Sequence, residues 1–182
     1  MSDFIMIKNV RVSFPHLFRR PINNGEEGRC GATLMLDPVG NKAAIELLEN
    51  QIAELIQTRF KGAEVSSDKI CIRDGEQKSR PEYKGYKVLS ANCKEKPLVI
   101  STDGKGVILN EAESPIYAGC YVNAKIRLWT QSNHYGKRIN AELVAIQFAQ
   151  HGEPLDGTYV SVADAMDGFA DLNGGKSKNL AA

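Results

Sequence analysis

"GCYVNAKIRLW", residues Gly119–Trp129, separates cleanly when alternate positions are taken apart. Cys120, Val122, Ala124, Ile126 and Leu128 fall on one side, and Tyr121, Asn123, Lys125, Arg127 and Trp129 on the other. Successive side chains of a strand point to opposite faces, so the stretch reads as a half-buried strand with one apolar face. Its outer face is unusual. Two aromatic rings bracket two cations and an amide, where Thr, Ser and Glu are commoner. Rings turned toward water are expensive unless something covers them. A second structural layer, such as the tail or a partner subunit, is one cover, but it gives no reason for cations between the rings. A single strand of nucleic acid uses both, because bases stack on rings and phosphates follow the charges. Asn123 adds a hydrogen-bonding group, and His134, Tyr135, Lys137 and Arg138 at the next turn extend the same path.

Outward from this strand the chain reads mainly as strands. "KRINAELVAIQFA" (Lys137–Ala149) follows after the turn "SNHYG", and its alternation slips near Val144 and Ala145, which predicts a bulge. Upstream, "FIMIKNVRVSF" (Phe4–Phe14), "RCGATLML" (Arg29–Leu36), "KICIR" (Lys69–Arg73), "GYKVLSANC" (Gly85–Cys93), "KPLVIS" (Lys96–Ser101) and "GVIL" (Gly106–Leu109) are strand candidates, with turns at Asp74-Gly75 and "DGKG". Between Asn41 and Phe60 the period changes. Ile45, Leu48, Ile52, Leu55 and Ile56 recur at helical spacing, Asn41 is placed to cap the start, and Gly62 to end it. Glu46, Glu49 and Glu54 make the helix's other side acidic. Strands around one amphipathic helix with short turns predict a mainly β fold, a small barrel or curled sheet with surplus strands.

The 182 residues suit one domain with a tail, and 42% hydrophobic against 25% charged excludes wholesale disorder. No apolar run is long enough to span a bilayer, and Met1-Ser2-Asp3 does not begin like a signal peptide, so an intracellular, cytoplasmic protein without membrane contact is expected. The four cysteines, Cys30, Cys71, Cys93 and Cys120, stand singly, with no CxxC pair and no zinc-ligand spacing to His16, His134 or His151. Free, mostly buried thiols are expected, and no metal or cofactor.

A net charge of +1 conceals an asymmetry. After His151, five acidic residues face two lysines, giving −3, and the body before it carries +4. The surplus gathers between Lys69 and Lys96, where eight basic residues meet four acidic ones, with Tyr83 and Tyr86 threaded among them. Within it, Arg80, Lys84, Tyr86 and Lys87 are candidate contacts for a nucleic acid. A solvated lysine-rich loop is the alternative. Signatures of catalysis are absent: there is no P-loop, GxSxG or HExxH. Asp37, Asp74, Asp103 and Glu142, the carboxylates that could hold magnesium, are scattered singly.

Four segments in this order, "VRVSFPHLF" (Val10–Phe18), "YKGYKVLSANC" (Tyr83–Cys93), "YAGCYVNAKIRLW" (Tyr117–Trp129) and "HGEPLDG" (His151–Gly157), resemble a family of bacteriophage single-stranded DNA-binding proteins formerly classed as a domain of unknown function. The resemblance runs from Val10 to about Gly157 and implies an OB-fold, here with the helix after two strands. It also implies an acidic C-terminal tail that recruits replication proteins and competes with DNA for the groove. "DAMDGFADL" (Asp164–Leu172) fits that pattern, with Phe169 as an apolar anchor, whereas the ending "NGGKSKNLAA" departs from it. "FPHLF" has two readings: Phe14, Leu17 and Phe18 plug the barrel end, or Phe18 with Arg19 and Arg20 forms a lip of the groove.

The expectation is therefore an OB-fold domain over residues 1–157 and a flexible, partly acidic tail over 158–182. It would bind single-stranded DNA regardless of sequence, without catalysis, in DNA replication, recombination or repair. The expected DNA-binding residues are Arg80, Lys84, Tyr86, Lys87, Tyr121, Asn123, Lys125, Arg127, Trp129, Tyr135, Lys137 and Arg138. Expected partners are single-stranded DNA, replication or recombination proteins through the tail, and a second copy in a homodimer. A metal-dependent nuclease and a phage assembly protein with an aromatic subunit interface are the competing readings.

Overall fold

Phe4–His16 forms the first strand, β1, in which Ile5, Ile7, Val10 and Val12 turn inward. Asn9, at φ 53°, shifts the register between Ile7 and Val10, so the apolar side stays inward across the irregularity. The computed structural model describes residues 4–78, 80–155 and 162–173. β2 (Ile22–Asn23) and β3 (Glu26–Glu27) make a small hairpin leading to β4 (Cys30–Leu36). After α1 (Lys42–Phe60) come β5 (Ile72–Asp74), β6 (Lys87–Cys93), β7 (Leu98–Ile100), β8 (Tyr121–Asn133), β9 (Gly136–Gln150) and a short helix α2 (Val162–Met166).

Strand pairing closes a ring. β1 lies antiparallel to β4 and to β8, β4 antiparallel to β6, and β8 antiparallel to β9. The last gap is sealed by parallel pairing of β6 with β9, at Ala91–Ala141 and Asn92–Glu142. The ring order β1-β4-β6-β9-β8 is that of the OB-fold's five strands. The surplus strand candidates are placed outside it, β5 beyond β6 and β7 beyond β9. "GVIL" contributes only a bridge from Val107 to Ile100, across the "DGKG" turn, where Asp103 accepts from the Lys105 amide. The expected bulge is present: Lys125 opposes Ala145 and Ile126 opposes Leu143, leaving Val144 as the extra residue.

The core is the inward set of this ring, with Leu34, Leu36, Leu89, Val122, Ile126, Ile139, Leu143 and Ile146 almost fully buried. Burying each such aliphatic side chain contributes about 1.5–3 kcal/mol. α1 lays Ile45, Leu48, Ile52 and Phe60 into the same core between the second and third barrel strands. Its start differs from the sequence expectation. Asn41 makes no side-chain cap; it is buried, accepting from the Asp37 amide and donating to the Lys8 carbonyl at 3.2 Å, which ties the helix to β1. Lys61 and Gly62, both at positive φ, end it. Leu17 is buried in the core and Phe18 packs against it, as the plug reading of "FPHLF" has it, while Phe14 lies outside under the Arg80 guanidinium. All four cysteines are buried and unbridged.

No helix of the described residues is long and apolar enough to cross a membrane. Residues 156–161 and 174–182, which carry the expected boundary at 157 and the basic end of the tail, lie outside the described residues. Within the described part, Met166, Phe169 and Leu172 are exposed.

Candidate nucleic-acid interface

The parallel seam between β6 and β9 is only two residue pairs long. Further back along β9, Ile139 pairs instead with Ile70, and its carbonyl accepts from the Cys71 amide at 2.9 Å. Beside this change of partner lies an open groove of about 620 Å³. Strand alternation decides what faces it. Ile139 and Ala141 are inward, so Arg138 and Asn140 point out; on β6, Ser90 and Asn92 do the same, and the end of β8 adds Trp129 and Gln131. Arg29 enters from the start of β4, and Lys69 and Arg73 from the segment that crosses to β5.

Among the described residues four cations, Arg29, Lys69, Arg73 and Arg138, line the groove, and no carboxylate does. Among the described residues the ion pairs involve Arg19, Arg20, Arg80, Lys87 and Arg127, all outside it. Two groove cations are held by carbonyls. Lys69 Nζ donates to the Tyr135 carbonyl at 2.7 Å, and Arg73 Nε donates to the Ile70 carbonyl at 3.2 Å, with Nη2 donating to that of Asp68. Neutral carbonyls hold both side chains, and nearby the exposed Asp68 carboxyl is held below its ordinary value, first by the Ser66 hydroxyl and in smaller part by the charges of Lys69 and Arg73. Gly136, beside the Lys69 contact, is at φ 114°, a left-handed conformation that favours glycine, and a Cβ there would sit 2.6 Å from Lys69 Nζ. Lys78 stands near Arg73, and burial followed by that like charge pushes its amine below the ordinary lysine value.

Trp129 is 41% exposed, and the Asn140 amide donates to Gln131 Oε1 beside it. Tyr135 is 72% exposed at the hairpin tip, its ring 3.9 Å from that of His134. Lys137 takes the opposite side of β9 from Arg138, with its amine 6.0 Å above the Phe60 ring of α1. The groove thus offers a ring, cations that lie outside the ion pairs of the described residues, and neutral hydrogen-bonding groups, the set that binds bases and phosphates of a single strand.

The other sequence-predicted residues lie in two further places. Tyr121, Asn123, Lys125 and Arg127 share the outer face of β8 with Trp129 but stand outside the groove. Tyr121 packs beside Gly152, in a segment fastened by Arg11 Nη2 donating to the Glu153 carbonyl at 2.7 Å. Asn123 accepts from the Asn9 amide and donates to Gln147 Oε1 at 3.0 Å, and Arg127 meets Glu142. The Phe4 ring lies 5.6 Å from both Lys125 Nζ and Arg127 Cζ. Arg80, Lys84, Tyr86 and Lys87 lie elsewhere again. Arg80 sits 4.2 Å over the Phe14 ring and 3.4 Å from Glu82, and Lys87 Nζ is 2.8 Å from Asp74, a contact that raises its amine. Tyr86 packs on Met35, Tyr83 and Val88, and Lys84 is exposed.

Sequence reading did not single out Arg29, Ser90, Asn92, Gln131 or Asn140, although Ser90 and Asn92 alternate visibly with Leu89, Ala91 and Cys93. Lys69 and Arg73 lie within the basic segment Lys69–Lys96 but outside the expected set of contacts. Asp37, Asp74, Asp103 and Glu142 do not converge: Asp74 and Glu142 are taken by cations and Asp103 by its own turn, while Asp37 accepts from the Val39 amide. Among the described residues there is no group of three or more His, Cys, Asp or Glu that could hold a metal ion.

The chain is similar over its length to known phage proteins. The single-stranded DNA-binding protein of bacteriophage Enc34, solved in complex with single-stranded DNA, is 32% identical with a TM-score of 0.74, covering 84% of this chain and 89% of that one. Another structure of the Enc34 protein is 32% identical at a TM-score of 0.70, covering 90% of each chain. The gp2.5 single-stranded DNA-binding protein of bacteriophage T7, 12% identical at a TM-score of 0.55 over 96% of this chain and 98% of its own, shares the fold. A putative protein p50 of Acyrthosiphon pisum secondary endosymbiont phage 1 is 28% identical over 98% of both chains. The family model described as "Enterobacter phage Enc34, ssDNA-binding protein" matches residues 4–177, and the chain belongs to that family.

Proposed function

We propose that this protein binds single-stranded DNA in the groove beside the β6–β9 seam, largely without regard to sequence and without catalysing a reaction. One observation carries the reading: Arg29, Lys69, Arg73 and Arg138 face a groove that no carboxylate of the described residues lines, with Trp129 exposed in its wall. Phosphates satisfy the charges and a base covers the ring. Membership of a family described by single-stranded DNA binding, and 32% identity to a member solved with that ligand, support it. The role that follows is protection and presentation of single strands in phage DNA replication, recombination or repair inside the host cell.

Trp129 is the chain's single tryptophan, so its fluorescence reports on the groove directly. Titration with oligo-dT at several salt concentrations should quench it saturably. Four neutralised phosphates give a slope of about −3 in log K against log salt, at about −0.7 each. Mixed-sequence oligonucleotides should bind within a few fold of oligo-dT. Absence of quenching, or binding that ignores salt, overturns the proposal.

A further inference from the structure

Phe4 is 52% exposed on the outer face of β1, with Met6, 47% exposed, two residues along on the same side. An exposed aromatic ring at the start of a strand calls for a reason, and its neighbours supply one. In the β1–β8 ladder Phe4 opposes Arg127, which makes Trp129 its diagonal neighbour on the next strand. Diagonal neighbours across a sheet stand roughly 7–8 Å apart. Adjacent nucleotides of an extended single strand can span that distance. Lys125 and Arg127 flank the Phe4 ring at 5.6 Å, and Lys125 has no carboxylate partner among the described residues.

We infer that Phe4 is a second base-stacking platform: single-stranded DNA leaving the groove over Trp129 continues across the β8–β1 face, with a base on Phe4 and a phosphate near Lys125. The inference rests on the proposed function and extends the DNA path beyond the groove. The occupant follows from continuity. Trp129 belongs both to the groove wall and to the outer row of β8, so a strand stacked on it is already directed at Phe4. Lys125 beside the ring suits a polyanion and disfavours a purely apolar partner.

The test uses full-length protein and an oligo-dT ladder from about 4 to about 16 nucleotides, the range of site sizes seen for OB-folds. Phe4→Ala should bind long oligonucleotides roughly tenfold to a hundredfold more weakly, the loss of about one stacked base. The shortest oligonucleotide that still quenches Trp129 should bind wild type and F4A alike, because it occupies the groove alone. Phe4→Tyr should retain wild-type affinity at every length. A second readout does not depend on F4A folding: in F4W/W129F the new tryptophan should be quenched by long oligonucleotides and not by the shortest. If F4A matches wild type at all lengths, or the F4W signal ignores DNA, Phe4 is no platform. A changed sedimentation coefficient for F4A with unchanged DNA affinity would instead assign the face to contact between copies and overturn the inference. Failure of wild type to bind any oligonucleotide is a different result, since it removes the proposed function itself.

Discussion

Arg127 and Glu142 oppose each other in the β8–β9 ladder and meet through a forked contact, Nε 3.2 Å from Oε2 and Nη2 3.0 Å from Oε1. The geometry is bidentate, but both side chains are about one-third exposed, so the pair contributes at most about 1 kcal/mol to stability. Its larger consequence is electrostatic. A carboxylate on the outer face of the barrel cancels much of the charge that β8 would offer to phosphate.

Glu142→Gln should therefore tighten DNA binding, most clearly at low salt, and steepen the salt dependence by about 0.7, one additional phosphate. Thermal stability should fall by less than about 1 kcal/mol. Titration at three or more salt concentrations, with a thermal melt, checks both. An unchanged slope means that DNA does not pass over this part of β8.

Charge location predicts a contrast between groove and surface cations. Arg73→Ala and Arg138→Ala should each flatten the salt slope by about 0.7, since each removes a phosphate contact. Lys87→Ala should leave the slope alone, because that amine is already held by Asp74 at 2.8 Å. Equal effects from all three would locate the DNA across the loop surface around Lys87 as well as in the groove.

Trp129 and Tyr121 lie on the same face of one strand, yet their truncations should differ. Trp129→Ala removes an exposed ring from the groove wall and should weaken binding by roughly tenfold to a hundredfold without lowering the melting temperature. Tyr121→Ala removes a ring packed beside Gly152 and should lower the melting temperature with a smaller effect on affinity. Paired melts and titrations of the two variants decide the matter. A Tyr121 variant that melts like wild type but binds weakly would place that ring on the DNA path.

The alternation in Gly119–Trp129 was legible because a strand's period is fixed by its backbone, so the burial of Val122, Ala124 and Ile126 follows from local order alone. The bulge at Val144 was legible for the same reason. The partners of outward residues were not. That Arg127 meets Glu142 depends on how β9 pairs with β8 beside the bulge, and that Arg29, Lys69, Arg73 and Arg138 share a groove depends on the β6–β9 closure. Such contacts join distant segments, and no local pattern records them. Asn41 illustrates the point in miniature. Its type and position fit a cap, but the Lys8 carbonyl of β1 holds its amide instead.

The cysteines carry a pH dependence whose sign is fixed by burial. Desolvation pushes the Cys71 thiol up to about 12 and the Cys93 thiol up to about 11, with Cys30 and Cys120 shifted in the same direction. Below the ordinary thiol value of about 8.5 these groups are neutral in folded and unfolded chains alike, and stability is unaffected by them. Above it the unfolded chain loses protons that the folded chain keeps, so stability declines with rising pH until the folded values are passed. Each thiol that ionises only on unfolding lowers stability by about 1.4 kcal/mol per pH unit within that window. Melting temperatures recorded from pH 7 to 11 should be flat and then fall. Cys71→Ala should shallow the alkaline fall even if it lowers the plateau, because the group with the largest gap between its two states is gone. Parallel alkaline profiles for the two proteins would mean that Cys71 ionises as readily in the fold as out of it, and that its burial does not keep its charge in check.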